Sequence, residues 1–172
     1  LDQYLLKLIE NPQTAPPFKL KALGARITSH PKLSDSQFKM VLDFLQPDKE
    51  SPVRQSAVRL LVQAELNDSQ LLELAEKEIA VADIFLLPGL VKTFEDSRNA
   101  AVGEALVKAL EASSSRLDNL SLQDLEKLFE TYPPSVQTAG ASIIQILREK
   151  QGKRLAELQS LQAQLANGEV GA

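Results

Sequence analysis

Apolar side chains recur along this chain at intervals of three and four residues almost from end to end. Phe38, Val41, Leu42 and Leu45 fall at i, i+3, i+4 and i+7. Val53, Ala57, Leu60, Leu61 and Ala64 follow the same rule, as do Leu122, Leu125, Leu128 and Phe129. Each set places one apolar stripe on a helix of 3.6 residues per turn, and such a stripe must be covered by a neighbour. Polar punctuation separates the stripes. Ser34 followed by Gln37 reads as a capping box, and Ser51 before Pro52 as an N-cap with proline at the first helical position. Asn67 and Ser121 read as further N-caps. Pro133-Pro134-Ser135 stops one helix and opens the next, and Asn167-Gly168 ends the last.

The predicted helices span about 1–10, 16–29, 34–46, 52–65, 68–79, 82–95, 98–112, 121–131, 135–149 and 152–166. A kink or break is expected at Pro88-Gly89, inside the apolar run 80–95. No strand is predicted. The expected core comprises Phe38, Leu42, Leu45, Val58, Leu61, Leu72, Leu106, Leu110, Leu125, Phe129, Ile143 and Leu147.

One pattern returns. The stretch SPVRQSAVRLL at 51–61 has a relaxed copy, PSVQTAGASII, at 134–144. Four segments carry a small residue followed, three and four positions later, by a pair with at least one aliphatic. The small residues are Gly24, Ala57, Gly103 and Gly140, at spacings of 33, 46 and 37. One helix pair with its turns takes roughly 35–45 residues, so the spacing suits stacked helical hairpins. A Gly or Ala at a crossing allows close approach of the axes.

Asp48, then Pro52-Val53-Arg54, then Ala57 and Leu60-Leu61, resembles the HEAT-repeat signature. The resemblance implies an α–α superhelix in which the Asp and Arg tie adjacent repeats together. Gln137 and Ala100 stand where later copies would carry the Arg, so the array is irregular and HEAT-like. The expected fold is therefore all-α, a right-handed superhelix of four to five antiparallel helix pairs forming one domain over 1–172.

A second resemblance lies in the last 50 or so residues. Tyr132-Pro133, Val136, the helix carrying Leu155, Leu158, Leu161 and Leu165, and Asn167-Gly168-Glu169 follow the order found in very large planctomycete-type proteins. These resemble membrane-bound dehydrogenases with an attached haem-binding domain, in which a HEAT-like array precedes a cytochrome c domain. The resemblance implies an envelope or periplasmic context, with haem c in a downstream domain. No C-x-x-C-H motif occurs in this sequence, so no residue here is assigned to haem. Leu1 in place of a Met reads as the start of a segment cut from a longer polypeptide.

Composition narrows the function classes. The net charge is −4. Residues 1–59 hold nine Lys/Arg against six Asp/Glu, whereas residues 60–142 hold six against fourteen. The acidic balance argues against non-specific nucleic-acid binding. It also argues against the HEAT-like DNA-repair glycosylases, which use basic concave faces and aromatic side chains. The absence of cysteine excludes disulfides, thiolate metal sites and cysteine nucleophiles. No apolar run approaches the ~20 residues that span a bilayer, so no membrane insertion is expected.

Candidate chemistry is sparse. His30 is the only imidazole, and it sits at a helix end, where it would meet the last carbonyls. Glu73, Glu76 and Lys77 form a solvated helical charge pattern. Lys150, Lys153 and Arg154 form a small basic group, expected to complement a helix C-terminus. No calcium loop or phosphate-cradling glycine run occurs. No catalytic, cofactor or metal residue is assigned. Asp48, Val53, Arg54, Gly24, Ala57, Gly103 and Gly140 are expected to serve the repeat architecture. The expected function is a non-enzymatic scaffold or protein-interaction module within a larger haem-binding or dehydrogenase polypeptide. The alternatives are an intramolecular spacer positioning a cytochrome c domain, and an enzyme whose polar groups converge in a deep pocket.

Overall fold

A computed structural model describes residues 2–166, and those residues fold as an all-α protein. The helices are α1 (Asp2–Glu10), α2 (Pro16–Ile27), α3 (Asp35–Asp43), α4 (Ser51–Gln63), α5 (Asp68–Leu74), α6 (Leu87–Lys92), α7 (Ala100–Ala112), α8 (Leu122–Glu130) and α9 (Pro134–Ala166). A π-helical turn, Ala75–Ile79, continues α5, and a 3-10 segment, Ser114–Asn119, follows α7. The only extended pairing among the described residues is a single bridge between Lys32 and Glu65.

The caps form where short-range chemistry demands them. Ser34 Oγ accepts from the Gln37 amide while Gln37 Oε1 accepts from the Ser34 amide, at 3.3 and 3.1 Å. Asn67 and Gln70 repeat the device at 3.0 and 3.1 Å. Ser121 accepts from the amide of Asp124. Each relieves amides that the first helical turn leaves unpaired.

Four boundary expectations are corrected. Ser51 is the first residue of α4 rather than its cap; Glu50 holds the cap position without a side-chain bond, and Pro52 stands second. The segment 82–95 is not one helix. Asp83 Oδ1 takes the amides of Phe85 and Leu86 at 2.9 and 3.0 Å, which closes a turn and restarts the chain at Leu87. Pro88 therefore falls in the first turn of a helix, where its missing N–H costs nothing, and breaks nothing. The segments 135–149 and 152–166 are one helix of 33 residues, about 50 Å long. Gly152 is the only weak helix former at the expected junction, and its ~1 kcal/mol penalty is too small to interrupt neighbours such as Gln151, Lys153 and Arg154. The helix end expected at Asn167-Gly168, with Glu169, lies outside the described residues.

Helices in even positions touch in succession, α2 on α4 and α4 on α6. Those in odd positions do likewise, α5 and its π turn on α7, and α7 on α9. Within hairpins α1 packs on α2, α3 on α4, and α8 on α9. The interior runs continuously from Ile9 to Leu147, with Phe38, Phe94 and Phe129 among the fully buried side chains. Every expected core residue is buried except Leu72, which is half-buried; Leu71 and Leu74 take the interior on that helix.

Candidate functional site

Polar side chains from one hairpin are spent on carbonyls of the hairpin before it. Gln70 Nε2 donates to Leu33 O (3.1 Å), Ser113 Oγ to Ile79 O (3.1 Å), and Arg116 Nη1 to Ala82 O (3.0 Å). Arg116 Nη2 reaches Ala80 O, and Asn119 Nδ2 reaches Ile84 O at 3.2 Å. Tyr132 Oη donates to Phe94 O (3.0 Å), and Lys150 Nζ to Ser114 O (2.8 Å). These bonds all join residues 34 to 38 apart. Helix ends leave carbonyls without intrahelical partners, and here the next hairpin supplies the donors. No buried side-chain polar atom is left without a partner among the described residues.

Arg54 joins this system differently. Its Nε donates to Leu45 O at 2.8 Å, and its Nη2 meets Asp83 Oδ2 at 2.8 Å. Asp48, expected to share the tie, instead faces solvent and accepts from Lys49 Nζ at 2.9 Å. That bond holds the Asp48 carboxyl below its ordinary value and raises Lys49. Asp83 occupies the corresponding place one turn later in the chain. Arg54 lies 29 residues away from it, so nothing local in the sequence marks this tie.

The four small residues divide into two kinds. Gly24 and Ala57 belong to the even succession, Gly103 and Gly140 to the odd one. The 46-residue interval is where the pattern crosses between them. A Cβ placed on Gly103 would lie 2.6 Å from Val136 Cγ1 and 2.7 Å from the Tyr132 ring. One on Gly140 would lie 2.7 Å from the Phe129 ring. Both positions therefore need glycine for close approach, of side chains rather than of backbones. Ala57 is fully buried. Gly24 departs from expectation: a Cβ there would meet nothing within 4 Å, because the residue faces an open groove between α2 and α4 that Val53 also lines. Gly89 is the missed member of the even succession, since a Cβ on it would collide with Val58 Cγ1. The adjacent proline disguised it as a helix break.

The remaining candidates settle as surface groups. His30 turns its Nδ1 to Ser29 Oγ at 3.1 Å and to Asp2 at 3.8 Å rather than to helix carbonyls. Lys77 pairs with Glu73 at 2.7 Å. Lys150 pairs with Asp118 at 2.9 Å and caps Ser114 O. It does not complement the end of its own helix, because α9 continues past it; the carbonyl it meets follows the end of α7. Burial raises the Glu78 carboxyl above its ordinary value, with a hydrogen bond from Gln46 partly offsetting it. Burial likewise raises the Tyr132 phenol. Among the described residues no group of His, Asp and Glu is placed to hold a metal ion, and no helix is long and apolar enough to cross a membrane.

Two groups of neighbouring apolar side chains are exposed, besides Tyr4 on α1 and Phe18 on α2. Beyond Leu147, α9 leaves the packed body, and residues 151–165 are exposed throughout. Leu155, Leu158, Leu161 and Leu165 are each more than half exposed along one side of this extension. In the turn between α5 and α6, Val81 and Phe85 are 68% and 79% exposed. Comparison with family profiles, curated proteins and solved structures gives no match.

Proposed function

We propose that this chain is a HEAT-like helical-repeat scaffold whose projecting helix α9 makes contact with protein. The carrying observation is the exposed stripe Leu155, Leu158, Leu161 and Leu165 on a helix that has already left the core. An apolar stripe on a helix is stable when another surface covers it, and contiguous exposed apolar surface marks interaction sites. The HEAT-like reading is supported by the 34–38-residue register of the inter-hairpin bonds and by the Arg54–Asp83 tie. The buried polar side chains support that architecture: Gln70 and Ser113 donate to backbone carbonyls, while Gln37 and Ser97 accept from backbone amides.

The continuity of α9 favours one further reading within this class. A helix of 33 residues rooted by Ile143 and Leu147 is a stiff spacer. Its protein contact is then a neighbouring domain of the same polypeptide, which the second sequence resemblance would make a cytochrome c domain. A photo-crosslinking residue at Leu158, in the protein expressed in its native cell, tests both. The expected result is a discrete adduct with one protein surface, intramolecular or not. The same group at Ser160, on the opposite side of the helix, should give little. Equal labelling from the two positions would overturn the reading.

A further inference from the structure

Two glutamines of this chain hold the same structural place and end differently. Gln37 and Gln70 stand third in α3 and α5, and each accepts through Oε1 from the amide of its cap residue, Ser34 or Asn67. Gln70 is left with its Nε2, which donates to Leu33 O of the hairpin before it at 3.1 Å. Gln37 Nε2 has no hydrogen-bond partner among the described residues, although the residue is only 9% exposed. A buried side chain ordinarily spends its donors. The idle donor is not sealed in the interior, where every polar side-chain atom is partnered. It reaches the cavity that Gln37 lines, a space of about 530 Å³ bounded by α1, α2 and α3.

The rest of that cavity is also rich in donors. Lys19 is half-buried and Lys32 exposed, and neither ammonium has a carboxylate within ion-pair distance among the described residues. Arg26 adds a third cation, with its Nε spent on Asp2 at 2.9 Å. Glu10 is the single carboxylate of the lining and pairs with none of them. The hydroxyls of Ser34 and Ser36 bond to each other at 3.0 Å. Leu6, Ile9 and Met40 make the remaining wall apolar.

An amide and an ammonium can donate only, so their ligand must accept. A cation would be repelled by the lysines, and a bare inorganic anion would leave the apolar wall wet. We propose that this cavity binds a small aliphatic carboxylate, with Gln37 Nε2 and Lys19 Nζ as its hydrogen-bond donors. Lys32 adds positive charge at the mouth, and the aliphatic body lies along Leu6, Ile9 and Met40. Apolar walls with a few convergent polar groups are the usual make-up of small-molecule sites. This goes beyond the scaffold reading, which rests on α9 and stands or falls separately.

Titration of the 172-residue chain with hexanoate at pH 7, followed by NMR of the Gln37 side-chain amide and the Met40 methyl, tests it. The shifts should saturate below ~10 mM, a range that reaches weak binding. Equal concentrations of 1-hexanol or hexylammonium should produce no saturable shift. Gln37→Glu separates binding from folding. Glutamate still accepts from the Ser34 amide, as a capping box requires, but it offers no donor and adds a negative charge. This variant should keep its helicity and lose at least tenfold in hexanoate affinity, read at the Met40 methyl. Lys19→Gln should lose about threefold or more. Shifts that grow linearly with hexanoate, an equal response to 1-hexanol, or undiminished affinity in Gln37→Glu would each overturn the proposal.

Discussion

Replacing Phe129 with alanine is expected to destabilise the protein by about 3–5 kcal/mol, the range for removing a fully buried aromatic side chain. Phe129 is 2% exposed, and its ring lies against Gly140 where α8 meets α9. That contact makes the substitution informative beyond its size. In the wild-type background Gly140→Ala should cost about 1–2 kcal/mol, because the added methyl meets the ring at 2.7 Å and something must shift. With Phe129 already alanine, the collision is gone and the methyl enters vacated space. Gly140→Ala should then stabilise by up to ~1 kcal/mol, the helix-propensity difference between the two residues. Urea denaturation of the four variants measures the non-additivity directly. Simple addition of the two single effects would mean that the ring does not rest on Gly140.

Arg116→Met is expected to cost about 2–3 kcal/mol, in line with losing charge-assisted hydrogen bonds to carbonyls that then have no donor. Methionine preserves most of the stem packing, so the loss reports the guanidinium. Arg116 grips Ala80 O and Ala82 O together, across 36 and 34 residues. Arg116→Lys should recover less than half of the loss, since an ammonium lacks the planar fork that spans two acceptors. Hydrogen exchange should accelerate most in the 80–86 turn. Uniform acceleration over the whole chain would place the bond's role elsewhere.

The elements that were legible in the sequence owe their form to neighbours three or four residues away. Ser34 with Gln37, Asn67 with Gln70, and Ser121 with Asp124 are such cases. The apolar stripes named the interior well for the same reason, and Leu72 failed only because Leu71 and Leu74 compete for one face. What escaped depends on distant partners. Asp83 matters because Arg54 reaches it, and Asp48 does not because Lys49 captures it first. The small-residue pattern was real at Gly103 and Gly140, but it merged two helix successions and passed over Gly89. The leucines of α9 were visible as a stripe, yet a stripe does not reveal whether anything covers it. Phe85 and Val81 likewise look like core residues until the turn that Asp83 closes points them outward.

Spin labels on Asp48→Cys and Asp118→Cys test the stacking of successive hairpins most directly, and the absence of native cysteine keeps the labelling clean. The two sites lie in turns separated by one intervening hairpin turn, so two interhelical spacings of 8–10 Å should set their backbones about 20 Å apart. A narrow distance distribution near that value, allowing for the label arms, is the expected result. A broad distribution, or one centred well beyond about 35 Å and so outside two such spacings with their label arms, would contradict the stacking of the hairpins.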